Sequence, residues 1–212
     1  MNMNFLQNFK TIRNEIKNHS NNVNLIVVSK NQNFEKINYL INEGHKDFGE
    51  NRFQEAKTKW QDYLRKNSDI RLHFIGKLQS NKVKEVIKLF DYVHSIDSLK
   101  LAKLCSEEEK KLNKKLSYFI QVNFDDEIQK SGINENLITD LFNYCTTTLR
   151  INILGLMCIP PLNSDPVKYF IRLMLIAQKL DLKELSMGMS NDYEKAIKCG
   201  ATFIRIGTAI FR

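Results

Sequence analysis

Short apolar runs alternate with longer amphipathic segments along this chain of 212 residues. Eight of the short runs, rich in β-branched and aromatic residues, fall at 25–29, 46–49, 72–75, 92–95, 117–122, 151–157, 184–187 and 202–206. Between them apolar residues recur at helical spacing: Phe34, Ile37, Leu40 and Ile41 form one stripe, and Val83, Val86, Ile87 and Phe90 another. Strand followed by helix, repeated, is the order of parallel βα units. Eight such units in about 200 residues predict a compact (β/α)8 barrel of the TIM type. The rival is an open doubly wound sheet, but its G-x-G-x-x-G phosphate turn is absent. Residues 5–17 predict an extra helix before the first strand. Almost no chain follows the eighth strand, so the leading helix is expected to cover the gap that a closing helix would fill. Asn51 with Gln54, and Asn191 with Glu194, resemble capping boxes.

With 42% hydrophobic residues, the chain can build one sizeable core. Three prolines, eight glycines and no linker-like stretch predict a single domain, residues 1–212. No run of about 18 uncharged apolar residues occurs and the first ten residues hold no apolar h-region, so a soluble cytoplasmic protein is expected. Cys105, Cys145, Cys158 and Cys199 are far apart, with no metal-ligand spacing, and read as reduced, packed thiols. The net charge of +8 would attract nucleic acid or a phosphorylated ligand. It is dispersed, however, and its densest stretch, Lys110 to Lys115, reads as the solvated end of a helix.

Barrels bind ligands at the C-terminal ends of their strands, and here those ends are polar. The first strand finishes in Val27-Val28-Ser29-Lys30. A lysine partly removed from water has a lowered pKa, and its neutral amine attacks aldehydes. Read alone, Lys30 is better explained by snorkelling to solvent. The second strand leads into Gly49-Glu50-Asn51 and the third holds His73; the seventh runs through Ser186, Met187, Gly188, Met189 and Ser190 towards a helix. Small residues and hydroxyls beside a helix N-terminus suit a phosphate. The eighth adds Arg205, Gly207 and Thr208. Each has a bland alternative: helix caps for Asn51 and Ser190, a core histidine for His73, the partner of a buried carboxylate for Arg205. Their recurrence at successive strand ends favours a binding site.

The stretches LIVVSK, DFGENRFQE, LHFIGKLQSNKVK, VHSIDSLKLA, QVNFDDEIQKSGI, GLMCIPP, LSMGMSNDYEKAI and GATFIRIGTAIF cover most of the chain in order. In them the sequence resembles the YggS/PROSC family of pyridoxal 5′-phosphate (PLP) homeostasis proteins, similar in fold to the N-terminal barrel of alanine racemases. The resemblance implies PLP as cofactor, held as a Schiff base on Lys30, with Asn51 and His73 lining its pocket. It implies too that Ser186, Met187, Gly188, Met189 and Ser190, with Gly207 and Thr208, surround the phosphate, while Arg205 faces the pyridine nitrogen. Departures from the family pattern are Lys77 in place of a histidine, Cys158 in place of a threonine, a short segment between Pro161 and Leu185, and an end at Arg212.

An arginine at the pyridine nitrogen disfavours its protonation and weakens the ring as an electron sink. Racemisation needs an acid or base on each face of the substrate, and alanine racemase draws one from a second domain for which this chain has no room. The expectation is therefore a non-catalytic, monomeric carrier that buffers PLP or delivers it to PLP-dependent apoenzymes, binding neither nucleic acid, membrane nor metal. The alternatives are a low-activity amino-acid racemase, with Tyr193 or His73 as second base, and a nucleic-acid module using the +8 charge.

Overall fold

The computed structural model describes residues 4–67, 69–124 and 131–212. Part of the QVNFDDEIQKSGI stretch, residues 125–130, thus lies outside the described residues. Among the described residues nine strands form, all in parallel pairs: β1 (Asn24–Val28), β2 (Asp47–Glu50), β3 (Arg71–Phe74), β4 (Tyr92–Ile96), β5 (Ser117–Asn123), β6 (Ile133–Asn134), β7 (Asn152–Cys158), β8 (Glu184–Ser186) and β9 (Phe203–Ile206). β1 pairs with β2 on one side and β9 on the other, and β4 pairs with β5, so eight of them close into the expected barrel. The remaining β6 is a two-residue strand attached to the end of β5, which the sequence did not announce because two residues carry no periodicity.

Parallel strands covered on both faces read as continuous apolar runs, as LIVV of β1 does; YFIQV of β5 is broken only by Gln121. Their outward residues pack beneath the helices. The inward ones fill the lumen, where Ile26, Phe119, Met157 and Phe203 form a separate buried cluster. The helices are α1 (Asn4–His19), α2 (Phe34–Asn42), α3 (Phe53–Leu64), α4 (Val83–Leu89), α5 (Leu99–Leu112), α6 (Ile138–Asn143), α7 (Pro166–Lys179), α8 (Tyr193–Lys198) and α9 (Thr208–Phe211). Side chains cap three of them: Asn33 accepts from Lys36 N, Ser98 from Leu101 N, and Asp165 from Val167 N. The two capping boxes expected at Asn51 and Asn191 do not form. α3 starts at Phe53 and α8 at Tyr193, which makes Gln54 and Glu194 second rather than third helical residues, out of register for the reciprocal bond.

The leading helix does cover the closing gap. α1 buries Phe5, Phe9, Ile12 and Ile16, and Phe5 stacks on Phe211 of the single-turn α9 at 6.2 Å between ring centroids. Asn8 Nδ2 donates to Ile210 O at 3.2 Å, and Tyr193 of α8 donates its hydroxyl to Glu15 at 2.6 Å. In the lysine-rich end of α5, Lys110 and Lys111 are exposed as expected. Lys114 instead ties off α4 through the carbonyls of Lys88 and Phe90, and the buried Glu109 accepts from Leu116 N and Tyr118 Oη. No thiol pair is bonded: Cys105, Cys145 and Cys158 are buried and Cys199 partly so. No helix among the described residues is long and apolar enough to cross a membrane.

Phe9 is fully buried between α1 and the barrel. Phe9→Ala is expected to destabilise the fold by about 3–5 kcal/mol in urea unfolding, the usual range for a buried phenylalanine. A change below about 0.5 kcal/mol, the scale of ordinary surface substitutions, would mean that α1 is not part of the closed barrel.

Candidate functional site

At the C-terminal end of β1 the backbone on both sides of Lys30 is held by a cluster of charges. Ser29 donates its N–H to Gly49 O at 3.0 Å and its hydroxyl to Glu50 Oε1 at 2.8 Å. Lys59 of α3 donates to Ser29 O at 2.6 Å and to both Glu50 Oε1 and Glu55 Oε1 at 2.8 Å. Trp60 Nε1 adds a bond to Glu50 Oε1 at 3.0 Å, and Glu55 Oε1 accepts from Asn31 N. Glu50 is completely buried, and Oε1 gathers all of these donors, the nearly buried Lys59 ammonium among them, while its Oε2 is buried with no partner among the described residues. Asn31, tethered on the far side of Lys30, turns with φ of +59°, a conformation that asparagine tolerates. Lys30 itself is exposed, which corrects the expectation of an amine partly withdrawn from water. Its backbone is pinned while its side chain stands at the rim of a cavity.

That cavity has a volume of about 430 Å³ and is lined at the strand ends by Lys30, Asn51, Ser190, Arg205 and Thr208, with Met189 and Gly207 between them. Such a volume falls in the ordinary small-molecule range of roughly 300–1,000 Å³. Asn51 Oδ1 is buried without a hydrogen-bond partner among the described residues. On the opposite wall Asp192 Oδ1 accepts from Met189 N at 2.6 Å, and Ser190 Oγ accepts from Ala209 N at 3.2 Å, tying the loop after β8 to α9. Among the described residues no acceptor takes the N–H groups of Ser190 and Asn191, so this loop faces the cavity with donors to spare. Gly188 permits the turn: its φ is +91°, and a Cβ there would lie 2.6 Å from that of Ala196. Lys195 and Arg212 add positive charge to the rim.

Among the described residues Arg205 is the one deeply buried cation of the cavity wall, 4% exposed. Its guanidinium donates to Ser186 Oγ at 2.7 Å and to Cys158 O at 2.9 Å, and burial lowers its pKa from the ordinary arginine value. Among the described residues no carboxylate pairs with it, so the reading of Arg205 as the partner of a buried carboxylate does not hold. Because Cys158 contributes a backbone carbonyl, a cysteine there in place of threonine leaves the contact in place; burial pushes its thiol up to about 12.

Four of the residues expected to contact the cofactor do not line the cavity. His73 lies one inward layer below Ile75, which follows the end of β3, and is fully buried in the lumen. There it bonds Asp47 Oδ1 at 3.0 Å and His94 Nε2 at 3.0 Å, and His94 in turn meets Ser186 Oγ at 2.8 Å. Ser186 is likewise a layer too deep, supporting Arg205 from below. Met187 points outward into the helix-covered core, and Gly188 is buried under the loop. Tyr193, bonded to Glu15 of α1, does not line the cavity either. Lys77 is exposed and outside it.

The buried ionisable groups are strongly shifted. Burial lowers the pKa of His73 and carries that of His94 well below the ordinary histidine value, with the neighbouring His73 and Arg205 adding to the second effect. His45, packed between Phe9 and Phe48, is lowered to about 4, again chiefly by burial. For Asp47 burial acts upward, but hydrogen bonds from His73 and Arg71 outweigh it and hold the carboxyl well below the usual carboxylate range.

A family model described as alanine racemase, N-terminal domain, matches residues 3–212. The pyridoxal phosphate homeostasis protein of Pasteurella multocida (strain Pm70) is 36% identical over 215 residues, covering 97% of this chain and 92% of its own. That of Escherichia coli (strain K12) is 36% identical over 198 residues, covering 89% and 85%. The solved structure of PipY from Synechococcus elongatus PCC7942 with PLP bound superposes with a TM-score of 0.89 at 32% identity, over 98% of this chain and all of that one. An alanine racemase of Clostridium difficile 630 shares the fold, with a TM-score of 0.75 at 17% identity over 97% of this chain and 56% of its own.

A histidine buried neutral is protonated more readily once unfolded, so below about pH 6.5 the unfolded chain binds protons that the folded one refuses. Stability is thus full near neutrality and lost on acidification. The thermal midpoint is expected to fall between pH 7 and 5 as His45, His73 and His94 resist charging. It should fall further below about pH 4, where the unfolded chain's aspartate takes up a proton that the folded Asp47, held by His73 and Arg71, still refuses. A profile flat from pH 7 to 5 would contradict these assignments.

Proposed function

The chain belongs to the alanine racemase N-terminal domain family, with the pyridoxal phosphate homeostasis proteins among its relatives, and from that membership we propose that it binds PLP in the cavity at the strand ends. The observation that carries the proposal is the convergence of three chemistries on one cavity. Lys30 offers an amine for an aldehyde, the Ser190–Thr208 wall offers hydroxyls and spare N–H donors for a phosphate, and Arg205 offers a buried cation for the pyridine edge. The unpartnered Asn51 Oδ1 marks a place where the protein alone leaves a polar group unmet, as a ligand site requires. The residues present fit PLP, which when bound supplies an aldehyde carbon and an electron-accepting ring. Lys30 would hold it as a Schiff base, and the pinned backbone at Ser29 and Asn31 would keep that amine at the rim. Arg205, donating only, would leave the ring nitrogen unprotonated, because two positive charges in a buried site repel.

In this reading the protein is a reversible PLP carrier that buffers the cofactor or hands it to PLP-dependent apoenzymes, without efficient turnover of its own. Two features support it. Neither Tyr193 nor His73, the residues suited by type to a second base, lines the cavity, which weighs against a racemase. Lys30 is open to solvent, so a cofactor on it is accessible to an incoming amine. We further read residues 1–212 as one PLP-binding unit, acting as a monomer in the cytoplasm, with the +8 charge serving to draw in an anionic ligand.

Purified protein mixed with PLP is expected to show the absorption band of a lysine-bound cofactor and, after borohydride reduction, a pyridoxyl group on Lys30. Lys30→Ala should lose both, and an adduct retained on another lysine would move the site. Ser190→Ala combined with Thr208→Ala is expected to weaken PLP binding at least about tenfold, since each hydrogen bond to a charged group contributes about 1.5–3 kcal/mol. Full affinity in that double variant would place the phosphate elsewhere.

A further inference from the structure

A thread of buried polar side chains runs down the lumen from the cavity to the opposite mouth of the barrel: Arg205, Ser186, His94, His73 and Asp47. Successive contacts measure 2.7, 2.8, 3.0 and 3.0 Å. Asp47 opens β2 at the barrel's N-terminal end, where the half-exposed Arg71 grips it with Nε and Nη2. Ring stacking fixes both imidazole planes, His73 on Tyr92 at 4.2 Å and His94 on Phe119 at 4.4 Å between centroids.

Counting donors fixes the sense of every bond. A guanidinium only donates, so Ser186 Oγ accepts from Arg205. An ionised carboxylate only accepts, so His73 Nε2 carries a proton aimed at Asp47. A neutral His73 must then accept at Nδ1, from a proton on His94 Nε2. His94 accepts at Nδ1, and the only proton left to fill that bond is the Ser186 hydroxyl. All donors thereby point one way, from the cation at the cavity to the anion at the far mouth. The reverse sense needs His73 charged inside the lumen and leaves the buried Ser186 hydroxyl without an acceptor, two unfavourable changes together. Nor is the thread a proton wire, because passing a proton along it would require Arg205 to give one up, which an arginine does not do.

We propose that Asp47, His73 and His94 are positioning residues, forming with Ser186 a one-way hydrogen-bonded relay that holds the cavity-facing Arg205 guanidinium from the opposite end of the barrel. The part of this inference that concerns a bound cofactor rests on the PLP reading above; the direction of the relay does not.

The protein has four histidines, so their ring nitrogens can be resolved by 15N NMR without added PLP. At neutral pH His73 and His94 are both expected as neutral Nε2–H tautomers. An imidazolium or an Nδ1–H form at either would overturn the relay. Asp47→Ala and Asp47→Asn both remove the ion pair with Arg71, but only the asparagine keeps an oxygen for His73 Nε2. The alanine variant is therefore expected to show mixed tautomers at His73 and a shifted PLP absorption band, and the asparagine variant to retain the parental pattern in both. An alanine variant with unchanged tautomers and band would overturn the proposal, as would an asparagine variant no different from it. Should the alanine variant not fold, Ser186→Ala leaves the Asp47–Arg71 pair intact and breaks the thread next to Arg205. Hydrogen exchange of the Arg205 guanidinium is then expected to quicken at least tenfold, and an unchanged rate overturns the relay. A parental protein that shows the expected tautomers but no PLP band refutes the cofactor reading and leaves the relay standing.

Discussion

The pairing of β1 with β9 is the constraint on which the remaining architecture depends. Four residue pairs, from Asn24 with Phe203 to Val27 with Ile206, join the first strand to the last, while β1 also pairs with β2 through Val27 and Val28. This closure sets Lys30, two residues beyond β1, beside Asn51 after β2 and beside Gly207 and Thr208 after β9. Without it the cavity's walls, drawn from opposite ends of the chain, would have no common floor. The gain from closing is large because a closed barrel has no unpaired edge and buries both faces of every strand.

Around the cavity the protein separates what must be still from what must be reachable. Lys30 is anchored through its neighbours: the Glu50 carboxylate and the Lys59 ammonium tie the end of β1 to α3, with Glu55 holding Asn31. Only the aliphatic stem and amine are left free. Arg205 is treated in the opposite manner, its own guanidinium being buried and bonded while its cavity edge stays available. The two cations thus differ by design of their surroundings, one mobile at the rim and one fixed in the wall.

Much of this was legible in the sequence, for identifiable reasons. The eight strands were placed within a residue or two because strands buried on both faces leave unbroken apolar runs, and the rule that ligands sit at strand ends singled out Lys30, Asn51, Ser190, Arg205 and Thr208, which share one cavity. What escaped depends on depth and distance. Whether an inward side chain such as His73 lines the mouth or the lumen turns on one layer of barrel, which no local pattern specifies. The Glu55–Lys59 pair at i,i+4 is readable from spacing, but the links of Lys59 to Ser29 and of Ser186 to His94 join residues 30 and 92 positions apart. His94 did leave a trace: it sits in VHSI as His73 sits in LHFI, on the inward parity of the adjacent strand. The exposure of Lys30 was missed because a strand end predicts where a side chain begins, not where its tip comes to rest.

The packing of α1 on α9 has a bearing on how the chain reaches this shape. Asn8 bonds to Ile210, 202 positions later, and Phe5 meets Phe211. A ribosome making the protein therefore releases the covering helix first and the surface it covers last. Until the final strand emerges, the apolar stripe of α1 and one flank of β1 stay exposed to whatever else is nearby. Contacts of such long sequence separation slow folding and lengthen the window for aggregation, so the helix that seals the finished molecule must wait, uncovered, for the part of the chain that it covers.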